Sequence, residues 1–140
     1  MNFKKLSYTA LLGFSILSQA GFAAQETMTF KNRHGSILEL NIADNDSITG
    51  YFTTQVVTKD CPKAVGQKRP IVGFLTGNAL TISIDYPSCG SVLSIIGNFE
   101  KDKKSIDTTW VVAHQVASLN NEKDLIARFI GHNTYRRINQ

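Results

Sequence analysis

The sequence predicts an all-β protein, an eight-stranded antiparallel up-and-down β-barrel. Apolar and polar residues alternate with a period of two through most of the chain, as they do in strands with one buried face. Short segments rich in Gly, Asn, Asp and Pro separate these stretches at hairpin spacing. Helical spacing is confined to residues 121–128. Together these features favour consecutive hairpins over any mixed or helical fold.

The alternation divides the chain into eight predicted strands. It is clearest where Leu80, Ile82 and Ile84 share one face while Thr81 and Ser83 share the other. The predicted strands are 27–34, 36–43, 47–58, 69–76, 78–86, 91–100, 105–115 and 127–138. Consecutive hairpins close most simply into a barrel, which leaves no exposed sheet edge. The alternative is a β-sandwich with similar strand spacing, although the sequence lacks the long Greek-key connections that a sandwich favours.

The first 24 residues have the pattern of a secretory signal peptide. Lys4 and Lys5 precede an apolar core over 6–17, and small residues follow near the expected cleavage site at 23 or 24. The alternative is an uncleaved membrane anchor, but a core of about twelve residues is short of the roughly 20 that a bilayer needs. We therefore expect segment 1–24 to be removed and segment 25–140 to form the barrel. The mature protein would be secreted, either extracellular or periplasmic, and would not contact the membrane.

The charge of the chain gives little support for a polyanionic partner. Without Lys4 and Lys5 there are 13 basic and 11 acidic side chains, so the net charge falls from +4 to +2. The densest basic cluster, Lys101, Lys103 and Lys104, is interleaved with acidic residues in a predicted hairpin turn. We therefore expect no nucleic-acid binding.

Cys61 and Cys89 are the two cysteines of the chain. In an exported protein the oxidising compartment favours one disulfide between them. Closing a loop of 27 residues would stabilise the folded state by roughly 3–4 kcal/mol on the chain-entropy estimate. The alternative is a reactive thiol or a metal ligand, but the sequence lacks the CxxC and CxxH spacings of such sites.

Several positions that are predicted to face the barrel interior are polar. They are Asn32, Ser36, Thr54, Ser91 and Asn133, and Trp110, the single tryptophan, also faces inward. An unpaired buried polar group costs about 1–3 kcal/mol, so these side chains need partners. One candidate partner is a small polar ligand, since eight strands enclose room for side chains or one small molecule. The other candidates are buried water and solvent at the strand ends.

Four segments of the chain resemble the avidins and streptavidins, a family of extracellular biotin-binding barrels. They are NRHGS (32–36), SITGYFTTQV (47–56), TTWVV (108–112) and GHNTYRRI (131–138), in family order and at compatible spacing. The resemblance extends over 27–138, essentially the whole mature chain. It implies an eight-stranded barrel that binds biotin in its interior and needs no cofactor.

The resemblance also implies a role for each polar position. Asn32 and Ser36 would donate to the ureido oxygen of biotin. Thr54 and Asn133 would accept hydrogen bonds from its ureido N–H groups. Donors of this kind polarise the urea, because its oxygen gains partial negative charge.

The remaining ligand positions match the ring and tail contacts of the family. Trp110 and Val112 correspond to the apolar wall around the bicyclic ring, and an indole offers a flat apolar surface to a fused ring. Ser91 and the backbone that follows Val56 correspond to the positions that hold the valerate carboxylate.

Four ligand positions depart from the family pattern. Phe52 stands where the family usually has a tyrosine that is the third donor to the ureido oxygen, a loss of about 1–3 kcal/mol. The adjacent Tyr51 is predicted to point outward. Tyr86 and Ile95 replace tryptophans, and Leu93 replaces a hydroxyl residue near the ring sulfur. We expect weaker binding than in the strongest family members. The alternative is an exported structural or interaction module with lost or altered ligand specificity.

The resemblance also bears on oligomeric state. Cys61 and Cys89 match the disulfide of the dimeric branch, and Leu125 stands where the tetrameric branch has a tryptophan. These features favour a homodimer. An apolar outer surface on the last three strands would suit such an interface, and it is predicted to consist of Val92, Ile96, Val111, Ala113 and Ile130.

The titratable residues do not suggest an enzyme. His34, His114 and His132 lack metal-ligand spacing such as HxxxH. Asp85 and Asp107 are predicted to point outward, so no acid/base pair or Ser-His-Asp set converges. We therefore expect neither catalysis nor a metal site, and a binding protein is the main hypothesis.

Overall fold

The computed structural model describes residues 27–116 and 128–138, and these form a closed β-barrel. The strands are β1 (Met28–Asn32), β2 (Ile37–Ile42), β3 (Ser47–Thr53), β4 (Lys68–Thr76), β5 (Ala79–Tyr86), β6 (Ser91–Phe99), β7 (Ser105–His114) and β8 (Arg128–Arg137). Each strand pairs antiparallel with the next, and β8 pairs with β1 to close the barrel. The predicted up-and-down barrel is therefore confirmed, and the sandwich alternative is wrong.

Six of the eight strands lie within one residue of their predicted bounds at either end, but β3 is shorter than predicted. It ends at Thr53 rather than at residue 58, because its pairing with both β2 and β4 stops there. Beyond that point the Gln55 N–H donates to the Ser36 side-chain oxygen at 3.0 Å instead of joining a strand ladder. The chain from 54 onward is therefore free to leave the sheet as a loop over the end of the barrel.

The first strand also ends earlier than predicted. β1 stops at Asn32 because its side-chain oxygen accepts the backbone N–H groups of His34 and Ser36, each at 3.0 Å. Gly35 completes this tight turn with a φ of +89°, a conformation that glycine adopts without a Cβ penalty. His34 consequently lies in the turn and not in a strand.

One end of the barrel is filled by apolar side chains, and we call it the closed half. It lies next to the turns at 43–46, 77–78 and 100–104. Its buried residues are Phe30, Leu40, Ile48, Leu75, Leu80, Phe99 and Ile106. The Phe30 and Phe99 rings pack with their centroids 5.9 Å apart. Each such side chain stabilises the fold by roughly 1.5–3 kcal/mol relative to an exposed one.

Three of the sequence-based predictions fall wholly or mostly outside the described residues. They concern the signal peptide over 1–24, Leu125, and the helical spacing over 121–128, of which Arg128 begins β8. Within residues 27–116 and 128–138, no helix is both long enough and apolar enough to cross a membrane.

Candidate functional site

The other end of the barrel, which we call the open half, contains a cavity of about 520 Å³. It lies beneath the β1–β2 turn, the segment 54–67 and the turn 87–90. All twelve predicted ligand residues line this cavity: Asn32, Ser36, Phe52, Thr54, Val56, Tyr86, Ser91, Leu93, Ile95, Trp110, Val112 and Asn133. Its volume lies in the range of roughly 300–1,000 Å³ that is typical of small-molecule sites.

Asn32 and Ser36 hold hydrogen-bond donors at the cavity wall. Both side chains are buried. The Asn32 side-chain oxygen is already occupied by two backbone N–H groups, which fixes the amide and leaves its NH₂ group as the donor. The Ser36 oxygen accepts the Gln55 N–H, which leaves its hydroxyl hydrogen available. The β1–β2 turn thus fixes these two donors through their oxygen atoms.

Thr54 and Asn133 hold hydrogen-bond acceptors in the same cavity. The Thr54 hydroxyl oxygen accepts the Val56 N–H at 3.1 Å. With its amide oriented so that the oxygen faces the indole, Asn133 accepts from Trp110 Nε1 at 3.1 Å and donates to the His132 carbonyl at 3.0 Å. Since each of these oxygens has two lone pairs, each keeps one for a ligand N–H.

The Trp110 indole lies against β8 because of a glycine. Gly131 is its cross-strand partner, and a Cβ at this position would collide with the indole ring. On the other side, Ile95 pairs with Trp110 and Leu93 pairs with Val112 across β6 and β7. These residues form a continuous apolar wall that ends at the acceptor of Asn133.

The mouth of the cavity is braced by the Cys61–Cys89 disulfide, so the predicted disulfide is confirmed. The Cα atoms are 5.6 Å apart, and both cysteines line the cavity. The bond ties segment 54–67 to the turn 87–90. Since neither segment belongs to the strand ladder, the disulfide supplies part of the order that backbone pairing does not.

A second feature of the mouth is the pair of facing residues Ser91 and His114, which are direct cross-strand neighbours. The His114 ring contacts Phe129 edge to face, with the centroids 5.6 Å apart. Sequence reasoning did not place His114 in the site, although its period-two spacing from Trp110 and Val112 was the signal that puts it on the inner face.

Comparison with known proteins agrees with this geometry. The model of the avidin family matches residues 22–138. The chain belongs to the avidin family. No curated protein matches it.

Solved structures of several avidins have the same fold. Core-bradavidin is 22% identical, with a TM-score of 0.66 over 81% of this chain and 100% of its own. A shwanavidin variant in complex with biotin is 20% identical, with a TM-score of 0.65 over 82% of this chain and 97% of its own. The rhizavidin–biotin complex is 17% identical, with a TM-score of 0.64 over 84% of this chain and 97% of its own.

In this avidin-family barrel Phe52 faces the cavity and Tyr51 faces outward, as the alternation of the sequence predicted. Phe52 is buried and lines the cavity, whereas Tyr51 is 45% exposed on the outer surface. The Lys68 ammonium lies over the Tyr51 ring, 4.6 Å from its centroid. Tyr51 therefore cannot supply a hydroxyl to the cavity, because the register of β3 places it on the opposite face.

Two other phenols line the cavity instead, those of Tyr86 and Tyr135. Burial raises the pKa of Tyr86 to about 12, although the charge of Arg69 acts in the opposite direction. Burial also raises the pKa of Tyr135 to about 12, against a hydrogen bond from the Asn32 side chain that lowers it. Sequence reasoning missed Tyr135, although its spacing of two from Asn133 was the signal.

The acidic residues of the outer surface take no part in the cavity. Asp85 and Asp107 are exposed, as predicted. The Asp107 carboxylate and the His132 ring form a hydrogen bond on the outer face of β7 and β8, with Oδ1 and Nε2 2.7 Å apart. Within the described ranges 27–116 and 128–138, no three His, Cys, Asp or Glu side chains are grouped in a way that could hold a metal ion.

Proposed function

We propose that this protein is an exported biotin-binding protein that captures biotin non-covalently inside the barrel, with no cofactor and no catalytic step. One observation carries the proposal: Asn32, Ser36, Thr54 and Asn133 surround the same cavity as the Trp110 indole. The sequence separates these residues by up to about a hundred positions, and the closed barrel brings them together.

The polar set suits a cyclic urea. A urea presents one strongly accepting oxygen between two N–H donors, so its site needs donors on one side and acceptors on both flanks. Asn32 and Ser36 keep donor hydrogens, while Thr54 and Asn133 keep acceptor lone pairs. The apolar wall of Trp110 suits the carbon and sulfur atoms of a fused ring.

The mouth suits the other end of biotin, an aliphatic chain with a carboxylate. Leu93 and Val112 extend the apolar wall outward, and Ser91 lies beyond them at the start of β6. Family membership and the biotin complexes of rhizavidin and the shwanavidin variant support the same ligand. Because Phe52 lacks a hydroxyl, we propose an affinity below that of the strongest family members.

Export and dimer formation are part of the proposal. The N-terminal signal pattern supports export. Val92, Ile96 and Ile130 are exposed on adjoining strands, while Val111 and Ala113 between them are half-buried. An isologous homodimer would cover this apolar surface, and the disulfide of the mouth would order the site without help from a neighbouring subunit.

Titration calorimetry with biotin tests the proposal. We expect saturable binding with one site per chain and a favourable heat. A dissociation constant weaker than about 0.1 mM would contradict it and would favour an exported avidin-fold module without this ligand.

A matched pair of variants locates the binding. Thr54→Val removes the inward hydroxyl and should weaken biotin binding by about tenfold, which is the effect of losing one hydrogen bond. Thr109→Val makes the same change on the exposed face of β7 and should leave the affinity unchanged. Equal affinities for both variants would place the ligand outside this cavity.

A further inference from the structure

The imidazole of His114 lines the cavity at its mouth and is half-buried there. In the part of the chain that the structure describes, neither of its ring nitrogens takes part in a hydrogen bond or an ion pair. The other histidines differ in this respect. His34 Nε2 accepts from Arg33 Nε at 3.1 Å, and His132 Nε2 lies 2.7 Å from Asp107 Oδ1. Since even a neutral imidazole carries one N–H, His114 keeps a donor for a ligand.

The place of His114 along β7 indicates which part of a ligand it meets. Trp110, Val112 and His114 follow one another at a spacing of two and all line the cavity. At about 3.3 Å per residue, the step from Val112 to His114 is roughly 7 Å toward the mouth. The ring is held in place by Phe129, which it contacts edge to face with the centroids 5.6 Å apart. The apolar wall along the tail of the ligand therefore ends at a positioned imidazole.

Ser91 supplies a hydroxyl beside this imidazole. Ser91 and His114 are direct cross-strand partners, and both side chains are half-buried at the cavity wall. The Gln115 N–H donates to the Gly90 carbonyl at 2.6 Å, so the backbone pairing continues beyond the two residues and fixes them side by side. Directly opposed residues have Cβ atoms about 5 Å apart. One carboxylate, which accepts through two oxygens, can thus contact both side chains.

The charged residues around the mouth are compatible with an anionic group. Among the described residues that line the cavity, the formally charged side chains are Arg33 and Asp60, and both are exposed. Their charges are opposite and lie in solvent, where salt screens them. A contact to the half-buried His114 is screened less, so it has the larger influence on an anion in the cavity.

We propose that the His114 imidazole donates a hydrogen bond to the carboxylate of the ligand, beside the Ser91 hydroxyl, and makes the site selective for free biotin over biotin whose tail is a neutral amide. The inference rests on the proposed function, since it assigns a contact within the same site. A hydrogen bond to an ionised partner is roughly twice as strong as one between neutral groups. A neutral amide tail forfeits this difference, so His114 sets the preference between the two forms.

Titration calorimetry of His114→Phe with biotin and with biotinamide tests the contact. The variant removes both ring nitrogens and keeps an aromatic ring against Phe129. We expect biotin to bind about tenfold or more weakly, and biotinamide, whose tail is uncharged, to change by about twofold or less. His132→Phe makes the same change on the outer face of β8 and is the matched control, with no change for either ligand. His114→Gln keeps an N–H donor and should retain part of the preference for biotin.

The wild type gives a test that does not depend on a variant, since it should bind biotin at least about tenfold more tightly than biotinamide. Equal affinities of the wild type for the two ligands would overturn the inference. Equal losses for both ligands in His114→Phe would show that the ring only shapes the mouth, which would overturn the assignment to the carboxylate. Unchanged biotin affinity in this variant would overturn the inference and leave the proposed function intact. Failure of the wild type to bind either ligand would overturn both.

Discussion

The two halves of the barrel are built from the same strands but do different work. Along β1 the inward residue changes from Phe30 in the closed half to Asn32 in the open half, and along β7 it changes from Ile106 to Trp110. In the closed half the side chains fill the interior, whereas in the open half they leave a cavity of about 520 Å³. The inward residues of a single strand can therefore form the hydrophobic core at one end of the barrel and line the ligand cavity at the other.

The largest effect is expected from breaking the closed half. Phe30→Ala removes a fully buried ring that packs on Phe99, so the free energy of unfolding should fall by roughly 3–5 kcal/mol. Denaturant unfolding measures the change, and Thr49→Ala on the exposed face of β3 is the control. Biotin affinity of the folded protein should change far less than stability. A loss of affinity as large as the loss of stability would show that the two halves are not separable.

The next effect concerns the disulfide of the open half. Replacing Cys61 and Cys89 together by serine should lower the free energy of unfolding by roughly 3–4 kcal/mol, because the unfolded chain regains its loop entropy. In contrast to the Phe30 variant, biotin should also dissociate faster, since segment 54–67 loses its tie to the turn 87–90. Stopped-flow dissociation measures this, and chemical reduction of the wild type should reproduce it. Unchanged dissociation in both samples would mean that the mouth is ordered without the bond.

The smallest effect is a pH dependence that comes from the buried phenols. Tyr86 and Tyr135 have pKa values near 12 in the folded protein and the ordinary value of 10 when exposed. Between these values the unfolded state releases protons that the folded state keeps, so the stability present below pH 10 is lost as the pH rises toward 12. The loss should reach at most about 2–3 kcal/mol per tyrosine.

Denaturant unfolding at a series of alkaline pH values measures this loss. In Tyr86→Phe the free energy of unfolding should fall less steeply with pH, because one of the two buried phenols no longer titrates. Tyr51→Phe removes an exposed phenol and is the control. If the slope is the same in Tyr86→Phe and the wild type, the phenol is not buried in the way that the structure shows.

The sequence by itself determined which face of each strand looks inward. A period of two is a local property of extended backbone, so the inward placement of Asn32, Trp110 and Asn133 follows from their spacing. The disulfide likewise follows from the sequence, because Cys61 and Cys89 are its two cysteines and can pair only with each other within the chain. Resemblance to the avidins then indicated the ligand that we propose, on motifs that the closed barrel brings to one cavity.

Only the tertiary structure decided the depth of each inward side chain in the barrel and the side chains that it contacts across the interior. These depend on strand tilt and stagger, which no local pattern encodes. Strand β3 ends at Thr53 because its pairing with β2 and β4 ends there. The alternation of its sequence alone predicted a strand that continued to residue 58. The partnerless hydroxyl of Tyr86 and the proximity of Tyr135 to Asn32 follow from the same cause, since strands distant in sequence set both.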